Sequence, residues 1–215
     1  MPSTGVQQKK PQPPGELAVP PPRRRTPPAL PLPTPDGVFV AIDFETADYG
    51  PDSACAVGLV RVEGLRVVRR EAVIIRPPRP RVIFTDIHGI TWDMVKSAPP
   101  FADAWPRLAP VLEGASVLAA HNASFDRKVL AACCAAAGMP TPPLPFLCTV
   151  QVARRTWGLK PNDLPSVCRR LGIGLIHHDA GSDAEACARI VIAAASRPTP
   201  TTQPPATGVP QSRRK

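Results

Sequence analysis

Residues 38–50 read VFVAIDFETADYG. An apolar run, Val38 to Ile42, leads directly into Asp43-Phe44-Glu45. A continuous apolar run fits a strand buried on both faces. Side chains alternate along a strand, so Asp43 and Glu45 face one way and Phe44 faces the other, toward a core. Two neighbouring carboxylates raise each other's pKa, and burying a charge without a partner is strongly unfavourable. A divalent cation removes that cost, because Mg²⁺ takes oxygen ligands, usually one or two carboxylates with phosphate and water. Standing alone, the pair can equally be two solvated acids at a strand end.

Outward from this stretch the chain divides by composition. It has 215 residues and 31 prolines, and the prolines crowd the ends. Residues 1–36 and 197–215 are rich in Pro, Thr, Gln and basic residues and carry no helix or strand periodicity. Both are expected to be disordered, with polyproline II character. They hold 9 of the 26 Lys+Arg and 2 of the 17 Asp+Glu, so most of the formal +9 belongs to them. Basic segments attract polyanions such as nucleic acid without sequence preference, though such tails can equally be solubilising extensions. PxxP-like stretches such as Pro28–Pro35 could recruit a protein partner.

The six cysteines, at 55, 133, 134, 148, 168 and 187, form no CxxC pair. They read as small core residues in a reducing compartment, so the expected location is cytoplasmic. No apolar h-region opens the chain and no apolar run is long enough for a bilayer, so neither secretion nor membrane insertion is expected.

Residues 37–196 form the candidate domain. Gly37–Thr46, Cys55–Val62 and Leu65–Ile75 read as three strands, the last two joined at the Glu63-Gly64 turn. Thr91 is placed to N-cap a short helix through Val95. Phe101–Glu113 has helical spacing interrupted by Pro106 and Pro110, and Gly114 ends it. Ser116–Ala120 reads as a strand, Ser124–Ala137 as a helix and Phe146–Val150 as a strand. Helices are expected over Val150–Trp157, Leu164–Leu171 and Asp183–Ala195. This order predicts an α/β layer fold with a mixed sheet flanked by helices.

Two further acidic positions fall at helix starts. HNASFDRKVL (121–130) puts Asp126 in a first helical turn just after a short strand, and strand ends of α/β sheets are where sites collect. HHDAGSDAEACARI (177–190) puts Asp183 at a helix start, five residues after His178. A loop histidine can take a proton from water near neutral pH. Each position also has a plain reading: an acid favoured by the helix dipole, an N-cap, an exposed histidine pair.

In order and context, DFETAD (43–48), IHGIT (87–91), AHNASFD (120–126) and HHDAGSDAEA (177–186) resemble the DEDDh family of 3′→5′ exonucleases. This family includes polymerase III epsilon-type proofreading subunits, RNase T and oligoribonuclease. The resemblance spans residues 37–196, and SACAVGLV and CTVQVARR look like the bacterial epsilon-like members. It implies an RNase H-like fold, with Asp43, Glu45 and Asp183 as metal ligands. Asp126 would help hold a second ion through water, and His178 would be the general base. His177 is the rival, but His178 has the family's offset to Asp183. Two ions, Mg²⁺ or Mn²⁺, about 3.5–4 Å apart can clamp the attacking and leaving oxygens of an in-line displacement. The implied product is a nucleoside 5′-monophosphate from single-stranded or frayed DNA. An RNA-directed enzyme and a non-catalytic nucleic-acid-binding scaffold are the alternatives. The resemblance also places Phe44, Thr46, Ile87, His88, Asn122 and Phe125 around the terminal nucleotide. A polymerase or a repair or replication protein could be bound through the tails. Asp48 departs from the usual pattern, either adding charge near the site or capping a loop.

Overall fold

The computed structural model describes residues 30–197. The expected disordered tails fall largely outside these residues. Five strands form one mixed sheet in the order β3-β2-β1-β4-β5. β1 (Val38–Thr46) lies at its centre. β2 (Ala54–Glu63) pairs antiparallel with β1, and β3 (Arg66–Ile74) antiparallel with β2. On the other side β4 (Leu118–Ala120) and β5 (Phe146–Cys148) continue the sheet in parallel. The expected mixed sheet is observed. β4 begins two residues later than the sequence suggested, and β5 ends two residues earlier because residues 149 and 150 already belong to a helix.

The helices follow the apolar spacing, with local adjustments. α1 (Thr85–His88) is a single turn that no sequence periodicity announced. α2 (Trp92–Val95) starts after Thr91, whose backbone is extended as at an N-cap but whose side chain makes no capping bond. α3 (Phe101–Leu108) carries Pro106 and gives way to a 3₁₀ turn over Ala109–Leu112, where Pro110 sits in the first turn. A proline tolerates a first turn because the missing N–H is unpaired there anyway.

α4 (Ser124–Ala136), α5 (Thr149–Trp157), α6 (Leu164–Leu171) and α7 (Ala180–Ala195) complete the chain. α7 begins three residues earlier than expected. Asp179 caps it by accepting from the Ser182 N–H, so Asp183 sits inside the first turn instead of opening the helix.

The main core packs Val40, Ile42, Phe44, Leu59, Leu118 and Leu130 against Phe101, Trp105 and Leu108. Phe44 is 3% exposed, so strand alternation sends it to the core as predicted. Five of the six cysteines are buried and all are free thiols, consistent with small core residues.

α7 crosses β1 and β2 at very short range. A Cβ built on Gly58 of β2 would lie 2.0 Å from the Ala180 carbonyl oxygen and 2.8 Å from the Gly181 nitrogen. Only a residue without a side chain lets the start of α7 rest there. Because Asp183 sits one turn further on, Gly58 sets how near that carboxylate comes to β1. A Gly58→Ala variant is expected to lose about 1–3 kcal/mol of stability from overpacking. Chemical denaturation measures this, and parent-like stability would show that α7 yields without cost.

Candidate active site

The site forms where the sheet loses a strand. β4 pairs with β1 only at Val40 and Ala41, so beyond Ile42 one edge of β1 is open. Asp126, from the first turn of α4, fills the gap: its Oδ1 accepts the Phe44 N–H at 3.1 Å. Asp126 is 1% exposed, and its Oδ2 has no hydrogen-bond partner. On the same end of β1, oxygens of Asp43, Glu45 and Asp183 all lie within 4.8 Å of one another. Asp183 is 4% exposed, and its Oδ1 is also unpartnered. Among the described residues no arginine or lysine pairs with these four acids.

Confinement raises their proton affinity. Burial, then the charges of Asp126, Asp183 and Glu45, hold Asp43 well above the usual carboxylate range. Burial and then Asp183 push Glu45 up to about 8. Burial takes Asp126 to about 7 despite the favourable Phe44 N–H. Burial raises Asp183 as well. Cys187, fully buried on α7, feels Asp43 and Asp126, and burial and then these charges keep its thiol protonated.

The histidine loop meets Asp183 differently from the spacing argument. His177 Nδ1 lies 3.0 Å from Asp183 Oδ2, and the His178 backbone N–H donates to the same oxygen at 3.2 Å. The two rings stack with centroids 3.8 Å apart. His178 takes φ +65, and one of its ring nitrogens still lies within 4.8 Å of an Asp183 carboxylate oxygen. Burial, then the neighbouring His177, lowers its pKa. Both rings line a cavity of about 410 Å³ together with Asp43, Glu45 and Asp183. A larger cavity of about 1110 Å³ lies between β3 and α7 and contains none of these groups.

The nucleotide-contact candidates separate. Thr46, Ile87, His88 and Phe125 line the acidic cavity, with Ile87 52% and Phe125 42% exposed at its rim. Phe44 borders it, but its ring is in the core and its backbone is committed to Asp126. Asn122 is not among the lining residues. It adopts φ +62 and shapes the turn into α4, where its carbonyl accepts the Phe125 N–H. His88 uses both ring nitrogens internally. Nδ1 accepts the Ile90 N–H at 3.0 Å, which leaves Nε2 to donate to the Thr46 carbonyl at 3.2 Å. It therefore ties the α1 turn to the end of β1.

Asp48 adds no free charge to the site. It accepts from Arg79 Nε at 2.7 Å and from the Gly50 N–H at 2.8 Å, and the Arg79 bond holds it down at about 2. Of the two roles considered for it, loop closure is the observed one.

Comparison with known proteins fits this geometry. The RNase T-type exonuclease family matches residues 40–191. The chain belongs to that exonuclease family. The DEDDh class resemblance drawn from the four motifs is thereby met.

The chain is 30% identical over 161 residues to a PolC-type DNA polymerase III of Thermotoga maritima, covering 73% of this chain and 12% of that one. A putative bifunctional exonuclease/endonuclease protein of Mycobacterium tuberculosis is 33% identical over 140 residues, covering 60% and 21%. The chain thus spans a small fraction of these relatives. Among solved structures, Exonuclease X in complex with 5′ overhanging duplex DNA is 28% identical, with TM-score 0.60 over 73% of this chain and 90% of that one. The nuclease domain of 3′hExo, a DEDDh member bound to rAMP, shares the fold at 19% identity and TM-score 0.62, over 73% and 90%. The RNase H-like architecture expected from the resemblance is the one observed.

Four cavity residues of this exonuclease domain, Phe84, His121, Asp163 and Leu164, escaped the sequence reading. His121 lines the site, with Nε2 donating to the Asn162 carbonyl at 3.0 Å and Nδ1 facing Thr149 Oγ1 at 2.8 Å. Its position at the end of β4 was the available signal. Phe84 packs edge-on against Tyr49, and Asp163 caps α6. Asp163 stands directly before the helix expected from Leu164, where Asp is a favoured N-cap, whereas Phe84 carries no signal beyond residue type.

Raised carboxylate pKa values make the metal-free fold favour protonated acids. Their contribution is most favourable below about pH 4.5 and is lost as pH rises toward the Glu45 value of about 8. In EDTA, thermal stability is expected to fall between pH 5 and 8, and Glu45→Gln to raise the melting temperature at pH 8. A gain of about 2–4 °C accompanies each kcal/mol of relieved repulsion in a domain of this size. Differential scanning fluorimetry reads this; a Glu45→Gln protein that melts below the parent at pH 8 contradicts it.

Proposed function

We propose that the domain is a divalent-cation-dependent 3′→5′ exonuclease that releases nucleoside 5′-monophosphates from single-stranded or frayed DNA ends. The observation that carries this reading is the convergence of Asp43, Glu45 and Asp183, with two buried carboxylate oxygens lacking any partner. Such a set fits hard cations, which take oxygen ligands and relieve carboxylate repulsion. Asp43, Glu45 and Asp183 would hold two ions, Mg²⁺ or Mn²⁺, with Asp126 contributing through water. Bound there, the ions would supply Lewis acidity toward the phosphodiester and lower the pKa of water.

The protein's own part is positioning and proton transfer. His178 acts as the general base. Burial lowers its pKa, which keeps the ring neutral and able to accept a proton near pH 7. His177 and the His178 backbone hold Asp183 Oδ2 in a fixed orientation. Ile87 and Phe125, exposed at the rim, receive the last base and sugar, and Thr46 lies beside them. Apolar contact and stacking tolerate any base. His88 acts through the loop it anchors. DNA is favoured over RNA because the relatives above a quarter identity include a DNA polymerase and an exonuclease bound to DNA. Hydrolysis of RNA is the second reading.

The basic, Pro-rich ends are the segments through which a polymerase or a repair or replication protein would be engaged. The six free thiols favour a reducing, cytoplasmic setting. Among the described residues no helix is long and apolar enough to cross a membrane.

Matched 5′-labelled DNA and RNA oligonucleotides with Mg²⁺ or Mn²⁺ test this. A shortening ladder on DNA is expected, with Asp43→Ala lowering the rate at least about 10³-fold, since each 1.4 kcal/mol of lost stabilisation is tenfold. No ladder from folded parent protein on either polymer sinks the reading, and a ladder confined to RNA replaces the substrate. Phe125→Ala is expected to raise KM more than it lowers kcat, because its contact does not change during the reaction. A loss confined to kcat would remove Phe125 from the binding surface.

A further inference from the structure

We infer that His177, His178 and Asp183 form a second kind of cation site, one for borderline metals such as Zn²⁺ or Co²⁺, which shares Asp183 with the acidic set. One ligand atom from each of these three residues lies within 4.8 Å of the other two. The two rings stack with centroids 3.8 Å apart, so an ion held by both would swing the more exposed His177 ring out of the stack. Asp183 is 4% exposed and its Oδ1 has no partner, so the shared carboxylate retains an unsatisfied donor atom. The His177 side chain is 38% exposed, which leaves the site open to an entering ion.

Ligand chemistry separates this set from the acidic one. Imidazole suits Zn²⁺, Co²⁺ and Ni²⁺, whereas Mg²⁺ prefers oxygen throughout. The two sets have one residue in common, Asp183, and each holds a member the reaction is proposed to need. An ion on the histidines occupies His178, the proposed base, and draws on the carboxylate the hard ions would use. Borderline metals therefore inhibit at this site. The inhibition depends on the proposed function, but the binding itself does not.

All histidines and cysteines of the chain lie at positions 55–187, within the described residues, so neither end supplies an imidazole or a thiol. The remaining histidines are otherwise engaged. His88 and His121 each have both ring nitrogens in internal contacts. Five of the six thiols are buried.

The test is binding of Co²⁺ and Zn²⁺ by the untagged, metal-free full chain. Visible absorption follows Co²⁺, and competition with a chromophoric chelator follows Zn²⁺. The expected result is a single strong site without a thiolate charge-transfer band. His177→Asn should weaken Zn²⁺ binding at least about tenfold, since loss of even an outer-sphere partner of a ligand costs 10–100-fold. Asp43→Asn, outside the histidine set, should keep that affinity while losing Mg²⁺-dependent hydrolysis. Three results would overturn the site: equal Zn²⁺ affinity of parent and His177→Asn, a thiolate band, or loss of binding in Asp43→Asn but not in His177→Asn. Circular dichroism confirms that each variant is folded. Zn²⁺ binding with no hydrolysis under Mg²⁺ by the parent would retain this site and reject the exonuclease reading, so the two failures are told apart.

Discussion

Like charge confined at one end of β1 is the constraint on which the site depends. Three carboxylates converge there and a fourth lies just behind, without a single arginine or lysine among the described residues to offset them. A fold normally avoids this, because desolvation and repulsion both penalise the charged forms. Here the arrangement is held by elements whose stability comes from elsewhere. The apolar residues of β1 and the helices packed on them fix the strand, and the acids at its end are carried along.

The short parallel strand β4 shapes this arrangement. Had it run further, its backbone would have taken the Phe44 N–H and closed the edge. Because it stops at Ala120, Asp126 supplies the missing acceptor and becomes part of the floor. One hydrogen bond thus serves both the sheet and the site. The close seat of α7 on Gly58 does the corresponding work from the other side, bringing Asp183 within reach of Asp43 and Glu45. Arg79 closes the loop after β1 by holding Asp48 and Asp52, which keeps Asp48 from adding to the charge.

Much of this was legible in the residues. The unbroken apolar run and its period of two fixed β1 and the shared face of Asp43 and Glu45. Apolar spacing found α4, α5, α6 and α7 to within three residues, and α6 in full. These are properties of short stretches, where local periodicity decides which face is buried. α1 was not legible, since one turn has no period to detect. The early start of α7 was hidden because Asp179 and Asp183 are both plausible caps, and only the Ser182 N–H decides between them.

The sequence by itself determined which residue types gather: two acids on one strand, one acid at each of two helix starts, and a histidine pair before the last. It also determined the family, because those motifs keep their order along the chain. Only the tertiary structure decided the contacts among them. It brought His177 Nδ1 to Asp183 Oδ2, committed His88 and Asn122 to holding their loops, and put Phe44 to use through its backbone. The physical reason is that pattern fixes the face a side chain occupies. Which atom meets which depends on where a strand ends, how near two backbones approach and which hydrogen bonds remain open, and these are set between segments far apart in the chain.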